Sequence, residues 1–361
     1  MSLALISLLL FTQPLITASP TAQAPASQTL YVGGSGPGNY TTIQEAINAA
    51  APDDTVYIYH DHAPYYEHLT ITKPLTLQGE DKDTTIIDGN NTGDVITIHA
   101  DHCTITEITV QHNGANPMID ANIKLTTTQT TIHDTIIQES GNFTLGIFFN
   151  NSHNATVHNN TFYKNGNEGI YLVNSSHILI TDNRFIQNRH CGVIISKSTQ
   201  NRVTRNTMTG NMAGVSIWPD STYNLVDNNT ITDGLFSGIG LWWHAEHNEI
   251  RDNRLQNNTQ YGILLTSANY TKILHNEISS TLQGVILHSS HSTLISVNDF
   301  LNNSQDAFFE NSTKTTWNGN YWSLHHTGLP VLIHGMRLLP WKETPVKWLN
   351  IDWRPATTQN T

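Results

Sequence analysis

Two tryptophans at equivalent positions of a repeat are the side chains of this sequence best suited to hold a ligand. Trp218 and Trp242 each follow a recurring glycine by four residues, and Trp243 and His244 come directly after the second. Neighbouring strands lie about 5 Å apart, so the two indole rings are expected to stack on the outside of the fold. Exposed aromatic faces suit the C–H faces of sugar rings. The sequence therefore predicts a ligand-binding groove lined by Trp218, Trp242, Trp243, Tyr171 and His244.

The depth of this groove is expected to come from two small residues. Ser216 and Gly240 stand where other repeats carry bulky side chains such as Phe148 and Tyr171. A dip of two coils between bulky neighbours would hold a ligand. The alternative is a tryptophan pair that merely covers a turn.

Three carboxyl groups near the aromatic residues are the candidates for catalysis, namely Asp220, Asp233 and Glu168. Glycoside hydrolysis needs two carboxyl groups roughly 5–9.5 Å apart. Lyase chemistry would use several carboxylates around Ca²⁺ together with a basic residue. No close-spaced acidic pair occurs among the three residues, so no catalytic site is visible in the sequence. A polysaccharide lyase or glycoside hydrolase using the same groove stays an alternative.

Nineteen histidines raise the question of a metal site. They are spread over most of the chain, largely at turn positions where other repeats carry Asn or Ser. Copper proteins favour soft Cys and Met ligands or a clear set of histidines, and Met is scarce here. His244 and His247 are the best-placed pair. We interpret the histidines as polar turn residues and predict neither a metal nor a cofactor.

The elements that position these side chains come from a repeat over residues 146–300. A glycine recurs there every 22 to 24 residues, at Gly146, Gly169, Gly192, Gly214, Gly238, Gly262 and Gly284. Apolar residues stand one and three positions after each glycine with a mixed position between them, which is the pattern of a strand with one buried face. Short strands stacked at about 4.8 Å form a parallel β-helix, and parallel connections are right-handed by strong default. The predicted fold class is all-β, a right-handed parallel β-helix.

Asparagines keep the same period as the glycines. A buried amide at a coil corner can bond backbone groups of its own turn and the amides of the coils above and below it. This pattern predicts a structural ladder of Asn160, Asn183, Asn206, Asn229, Asn253, Asn276 and Asn298. A second ladder is expected at Asn201, Asn224 and Asn248.

The two ends of the chain depart from the repeat. Residues 1–26 resemble a secretory signal, because a short apolar run is followed by small residues. Residues 27–316 are assigned to the β-helix, with a capping-box helix at about 42–50 that closes its N-terminal end. Residues 317–361 lose the period and concentrate tryptophan, which predicts an aromatic C-terminal cap.

Composition bounds the partners of the chain. It has 361 residues, 13% of them charged, and a formal net charge of −12. An acidic chain without basic clusters is a poor ligand for nucleic acid, so that class is excluded. No segment after the signal is long and apolar enough to span a bilayer. Cys103 and Cys191 fall three to four coils apart, too far for a disulfide.

The chain resembles the NosD-type right-handed β-helix proteins. The resemblance is carried by TTIQEAINAAAPDDTVYIY at residues 41–59, by the G-[IV]-x-[LIF] and N-x-[FILM] coils, and by WNGNYWS at residues 317–323. The ending NIDWRPA is similar to the tails of archaeal members. This resemblance implies a secreted β-helix and periplasmic copper handling, with repeats that are shared by carbohydrate-binding and sugar-hydrolysing β-helices. It supplies no catalytic motif for this sequence.

These observations predict a secreted or cell-surface β-helix that binds an extracellular polysaccharide or glycan along one flank. Three alternatives stay open beside it. They are a lyase or hydrolase acting in the same groove, a structural or adhesive solenoid, and a copper-handling maturation protein.

Overall fold

The computed structural model describes residues 26–325, 327–339, 341–342 and 344–360. Nearly all of the predicted signal segment, 1–26, lies outside the described residues. Within them the chain winds into a right-handed parallel β-helix, which confirms the predicted fold class. No helix in the described part of the chain has the length and apolar character needed to cross a membrane.

Each coil contributes strands to three faces, named here A, B and C. Face A consists of Leu69–Ile71, Ile96–Ile98, Ala121–Leu125, Leu145–Asn150, Ile170–Val173, Cys191–Ser196, Ala213–Ile217, Ser237–Trp242, Tyr261–Thr266, Gln283–His288, Gln305–Glu310 and Val331–Arg337. Face B consists of Thr29–Val32, Asp54–Ile58, Leu75–Gly79, Thr104–Thr106, Thr131–His133, Thr156–His158, Leu179–Thr181, Arg202–Thr204, Leu225–Asp227, Glu249–Arg251, Lys272–Leu274, Leu294–Ser296, Thr316–Asn318 and Val346–Asp352. Face C consists of Tyr65–Tyr66, Ile86–Asp88, Thr109–Gln111, Ile136–Gln138, Thr161–Tyr163, Arg184–Ile186, Thr207–Thr209, Thr230–Thr232, Arg254–Gln256, Glu277–Ser279, Asp299–Leu301 and Tyr321–Trp322.

The recurring glycines allow the coils to approach closely on face A. A Cβ atom at Gly214 would lie 2.8 Å from the carbonyl oxygen of Gly238 on the next coil, and one at Gly262 would lie 2.7 Å from that of Gly284. The apolar residues that follow these glycines are buried in one continuous core. Because inward-facing side chains fill the interior, ligand contacts fall to the outward-facing columns.

Asparagines close the corner between faces B and C. Along the predicted ladder, Nδ2 of each amide donates to Oδ1 of the next at 2.9–3.0 Å. The ladder continues to Asn320, whose Nδ2 donates to Asp352 at 3.0 Å. Asp352 also accepts from the Trp322 indole at 3.2 Å, so a carboxylate of the last strand ends the amide column.

A short helix, Ile43–Ala49, precedes the regular coils. The Thr42 hydroxyl accepts from the Glu45 amide at 3.3 Å, which is one of the two bonds of a capping box. The first two amides of the helix, those of Ile43 and Gln44, donate to the Glu67 carboxylate at 2.8 and 3.0 Å. Ile43, Ala46 and Ile47 are buried. The role of this helix as a cap stays a prediction.

The C-terminal segment departs from the coil pattern. Val331–Arg337 and Val346–Asp352 pair in an antiparallel hairpin. Trp317 and Trp322 are buried, whereas Trp341, Trp348 and Trp353 are exposed. The role of residues 317–361 as an aromatic cap stays a prediction.

Candidate functional site

Small residues aligned in one outward column form the floor of a groove on face A. Cys191 pairs in register with Ala213, and Ala213 pairs with Ser237 on the next coil. Bulkier side chains rise on both sides of this column. The resulting open groove has a volume of about 260 Å³ and is lined by His190, Cys191, Met212, Ala213, Ser216, Trp218, Phe236, Ser237, Trp242 and Trp243.

The predicted tryptophans lie in this groove, but their rings do not stack on each other. Trp218 makes edge contacts with Tyr171 and with His190, each at 6.3 Å between ring centroids. Trp242 instead lies parallel to Phe236 at 6.5 Å and contacts Trp243 at 5.8 Å. The predicted Trp218–Trp242 stack is therefore wrong.

Gly240 explains the orientation of Trp242. A Cβ atom at Gly240 would lie 2.8 Å from Nε1 of the Trp242 indole, so the ring folds back over the space that the glycine leaves. The dip predicted at Gly240 is thus filled by an aromatic ring. The groove instead owes its depth to the neighbouring column of Cys191, Ala213 and Ser237.

Two hydroxyl groups supply polar contacts in the apolar groove. Ser216 accepts a hydrogen bond from the Cys191 thiol at 3.4 Å. The Ser237 hydroxyl is buried, and no hydrogen-bond partner is found for it among the described residues. An unpaired buried hydroxyl is unfavourable, and Ser237 therefore keeps unused hydrogen-bonding capacity at the floor of the groove.

A buried ion pair lies at one end of the groove. Glu168 is fully buried, and its Oε1 lies 2.7 Å from Nδ1 of His190. The Cys191 sulfur lies 3.6 Å from the same nitrogen. The hydrogen bonds with Cys191 and with Glu168 raise the pKa of His190 to about 10, against an opposing effect of burial. The imidazole is therefore cationic at neutral pH.

Sequence reasoning named Glu168 but missed His190. The signal was the column one residue before each recurring glycine, which reads Leu145, Glu168, Cys191, Ala213, Ser237, Tyr261 and Gln283. Small residues at three successive positions of this column mark the groove floor. Glu168 lies in the same column, one coil before these small residues. A buried carboxylate needs a cationic partner, and the nearest basic residue, His190, could have been identified for that reason.

The other predicted site residues lie elsewhere. Asp220 and Asp233 are exposed at turns with positive φ, and neither lines the groove. Asp233 accepts from the Asn257 amide at 2.6 Å. His244 is also exposed at a turn with φ of 67° and does not line the groove. The carboxyl groups thus do not assemble into a pair beside the tryptophans.

His247, the second member of the weak metal pair, lies between two tyrosine rings. Its ring stacks on Tyr223 at 5.2 Å and on Tyr270 at 4.6 Å, with interplanar angles of 13° and 2°. Among the described residues no three His, Cys, Asp or Glu side chains are grouped to hold a metal ion. His247 is therefore placed as part of an aromatic column.

Solved structures that share this fold include parallel β-helix proteins of low sequence identity. The A-module of a mannuronan C-5 epimerase from Azotobacter vinelandii has a TM-score of 0.60 at 14% identity, over 77% of this chain and 87% of its own. DFA-IIIase from Arthrobacter chlorophenolicus A6, without its lid, has a TM-score of 0.59 at 11% identity, over 80% and 94%. A GH136 lacto-N-biosidase from Eubacterium ramulus has a TM-score of 0.57 at 12% identity, over 80% and 65%. At these identities the likeness establishes the fold alone.

Sequence comparison places the chain more closely. No curated protein matches it significantly. The family described as periplasmic copper-binding protein (NosD) matches residues 47–260 and 220–327, which together cover most of the chain. The protein belongs to the NosD family.

Proposed function

We propose that this protein binds a saccharide in the aromatic groove of face A. The observation that carries the proposal is the combination of aromatic walls with the buried, unpartnered Ser237 hydroxyl. Trp242 offers a flat apolar face, and Ser237 offers a hydrogen bond at the floor. Apolar faces edged by hydroxyl groups are the chemical character of sugar rings.

The size of the groove favours one sugar ring. Its volume of about 260 Å³ is somewhat below the range of roughly 300–1,000 Å³ typical of enclosed small-molecule sites. An oligosaccharide would therefore place a single residue in the groove and leave the rest in solvent. Binding of this kind is weak for one ring, because a single small groove buries little ligand surface.

The names of the structural neighbours agree with a carbohydrate ligand. They include a mannuronan epimerase and a lacto-N-biosidase, both of which act on saccharides. The family description is periplasmic, which supports a place in the cell envelope or outside the cell. A saccharide of the envelope or the surroundings is thus the ligand class proposed here.

Copper binding, which the family description names, is not part of the proposal because the donor set does not fit. Copper sites combine several His, Cys or Met ligands. In the groove, the Cys191 sulfur approaches His190 Nδ1, but Glu168 already occupies that nitrogen at 2.7 Å. Met212 adds a thioether at the exposed rim. We derive no role for copper from these residues.

Hydrolysis in the groove lacks a second carboxyl group. None of the side chains that line the groove is Asp or Glu, and Glu168 lies behind His190. Glycoside hydrolases place two carboxyl groups on either side of the scissile bond. The arrangement therefore supports binding over cleavage.

A titration with a matched tryptophan control tests the proposal. The protein is titrated calorimetrically with a panel of acidic and neutral saccharides, and the solutions are analysed for released products. Trp242→Ala is expected to weaken binding roughly tenfold, because a stacked aromatic contact contributes about 0.5–1.5 kcal/mol beyond the buried area. Trp353→Ala removes another exposed tryptophan outside the groove and is expected to bind as the wild type does.

Two results would contradict the proposal. Equal losses in both variants would mean that the groove is not the site. Absence of binding across the whole panel would favour the structural or adhesive solenoid. Released product would make the protein an enzyme.

A further inference from the structure

We infer that the groove selects a saccharide that carries a carboxylate, a uronic acid, because His190 presents a charge-assisted donor beside the aromatic walls. This inference rests on the proposed function and names the substrate class of the same site. It is carried by the geometry of the Glu168–His190 pair and by the charges of the side chains around it.

Glu168 is buried next to the groove. Its side chain is fully inaccessible to solvent, and its Oε2 has no hydrogen-bond partner among the described residues. A carboxylate in such a place needs a cation in direct contact, since burial of an unpaired charge is strongly unfavourable. His190 at 2.7 Å supplies that contact. The pair thus stays together as carboxylate and imidazolium.

His190 is oriented by its bond to Glu168. Nδ1 donates to Glu168, and Nε2 has no hydrogen-bond partner among the described residues. The ring lines the groove, and 31% of the side chain is exposed. An imidazolium has a donor at both nitrogens, so Nε2–H remains available to a ligand. Donation from a charged group to a carboxylate is about twice as strong as a neutral hydrogen bond.

The side chains around His190 leave room for a carboxylate ligand. The titratable groups that act on His190 are Cys191 and Glu168, and the ring of Trp218 that faces it is uncharged. No acidic side chain lines the groove to repel a carboxylate. A uronate ring would place its apolar face on an indole and its carboxylate on His190. A neutral sugar of the same shape would lose the charged contact.

The negative net charge of the chain disfavours long anionic ligands. A formal charge of −12 repels long polyanions, although such repulsion is screened beyond about 8 Å at physiological salt. The charged contact in the groove acts at hydrogen-bond distance and is screened far less. The expected ligand is therefore a single uronate residue or a short chain that ends in one.

The test compares ligands that differ only in charge. Methyl glucuronide, its carboxamide and methyl glucoside are titrated against the intact protein at pH 7. The acid is expected to bind roughly tenfold more tightly than the amide, which corresponds to about 1.4 kcal/mol. His190→Gln is expected to bind acid and amide equally, and Trp353→Ala is expected to keep the preference.

A second variant keeps the test informative if His190→Gln does not fold. Glu168→Gln removes the partner that holds the proton on His190, so the acid preference should persist at pH 5 and disappear at pH 8. In the wild type the preference should be unchanged between these two values. A purely structural role of Glu168 would not produce this crossover.

The outcomes separate the two claims. If the wild type binds acid and amide equally, the inference about uronic acids is wrong and the saccharide site stands. If the preference for the acid survives in His190→Gln, another group recognises the carboxylate and the inference is also wrong. If no ligand of the three and no other saccharide binds, the proposed function itself fails.

Discussion

Replacement of one ladder asparagine offers a stringent test of what holds the coils together. Asn229 is buried, and its Nδ2 donates to Asn253 Oδ1, to the carbonyl of Val203 and to that of Asp227 at 2.9–3.0 Å. Its Oδ1 accepts from the backbone and side-chain nitrogens of Asn206 at 2.9 and 3.0 Å. Asn229→Ala removes all of these bonds at once.

The cost follows from the groups left behind. In Asn229→Ala the backbone N–H of Asn206 loses the side-chain oxygen that it bonds, and two buried carbonyls lose an amide donor. Each buried polar group left without a partner costs about 1–3 kcal/mol, and partial relaxation reduces the sum. The expected loss of unfolding free energy is about 3–5 kcal/mol. For a chain of this size the loss corresponds to a fall in Tm of roughly 4–7 °C.

Denaturation followed by circular dichroism measures this loss. The control is Thr230→Ala, the next residue, which is exposed on the outside of the same coil. Its effect is expected to stay within about 0.5 kcal/mol, as for ordinary surface substitutions. If Asn229→Ala lowered the unfolding free energy by less than 1 kcal/mol, the ladder would not be a main source of stability.

Three further predictions concern the groove. Gly240→Ala is expected to displace the Trp242 indole, because the new methyl group would lie 2.8 Å from its Nε1 atom. Saccharide binding should then weaken several-fold with little change in Tm. Unchanged affinity in calorimetry would refute this prediction. The pKa of His190 rises from about 6.5 in the unfolded chain to about 10 on folding, so its contacts stabilise the protein fully below pH 6.5 and lose this effect as the pH rises to 10. The difference in unfolding free energy between the wild type and His190→Gln should therefore shrink between pH 6.5 and pH 10. A difference that stays constant over this range would contradict the ion pair. Equilibrium dialysis with Cu(I), Cu²⁺ and Zn²⁺ is expected to leave no ion stoichiometrically bound, whereas one retained copper per chain would revive the copper-handling alternative.

The repeat was readable because its physics is local and periodic. Gly214 and Asn229 each recur once per coil, and their neighbours alternate with strand periodicity. Stacking at a fixed register then fixes which side chains become neighbours. Asp182 pairs with Arg205 and Arg254 with Glu277 in this way, each pair lying in one column of adjacent coils. Fold class and column neighbours therefore follow from the sequence.

Ring orientation in the groove did not follow from the columns. A column places Trp242 one coil from Trp218, but the absence of a side chain at Gly240 decides where the indole folds. Likewise His190 precedes its strand at a bend, outside the strand columns. Its contact with Glu168 depends on the path of that bend. Such local choices need side-chain packing, which spacing alone does not supply.

The C-terminal segment illustrates a second limit. Tryptophan content predicted coverage of the last coil, yet the hairpin of Val331–Arg337 and Val346–Asp352 leaves several large side chains in solvent. Where the period stops, composition no longer reports which face of a strand is inward. Asp352, which ends the amide column, carried no sequence signal beyond its position in the tail.

The most direct test of the account is a crystal structure of the protein with the saccharide that binds most tightly in the titrations. We expect one sugar ring in the groove, with its apolar face on Trp242, a hydroxyl group at Ser237 and, for a uronic acid, the carboxylate at His190. An empty groove at saturating ligand, with the sugar bound instead along the column of Tyr223, His247 and Tyr270, would contradict it.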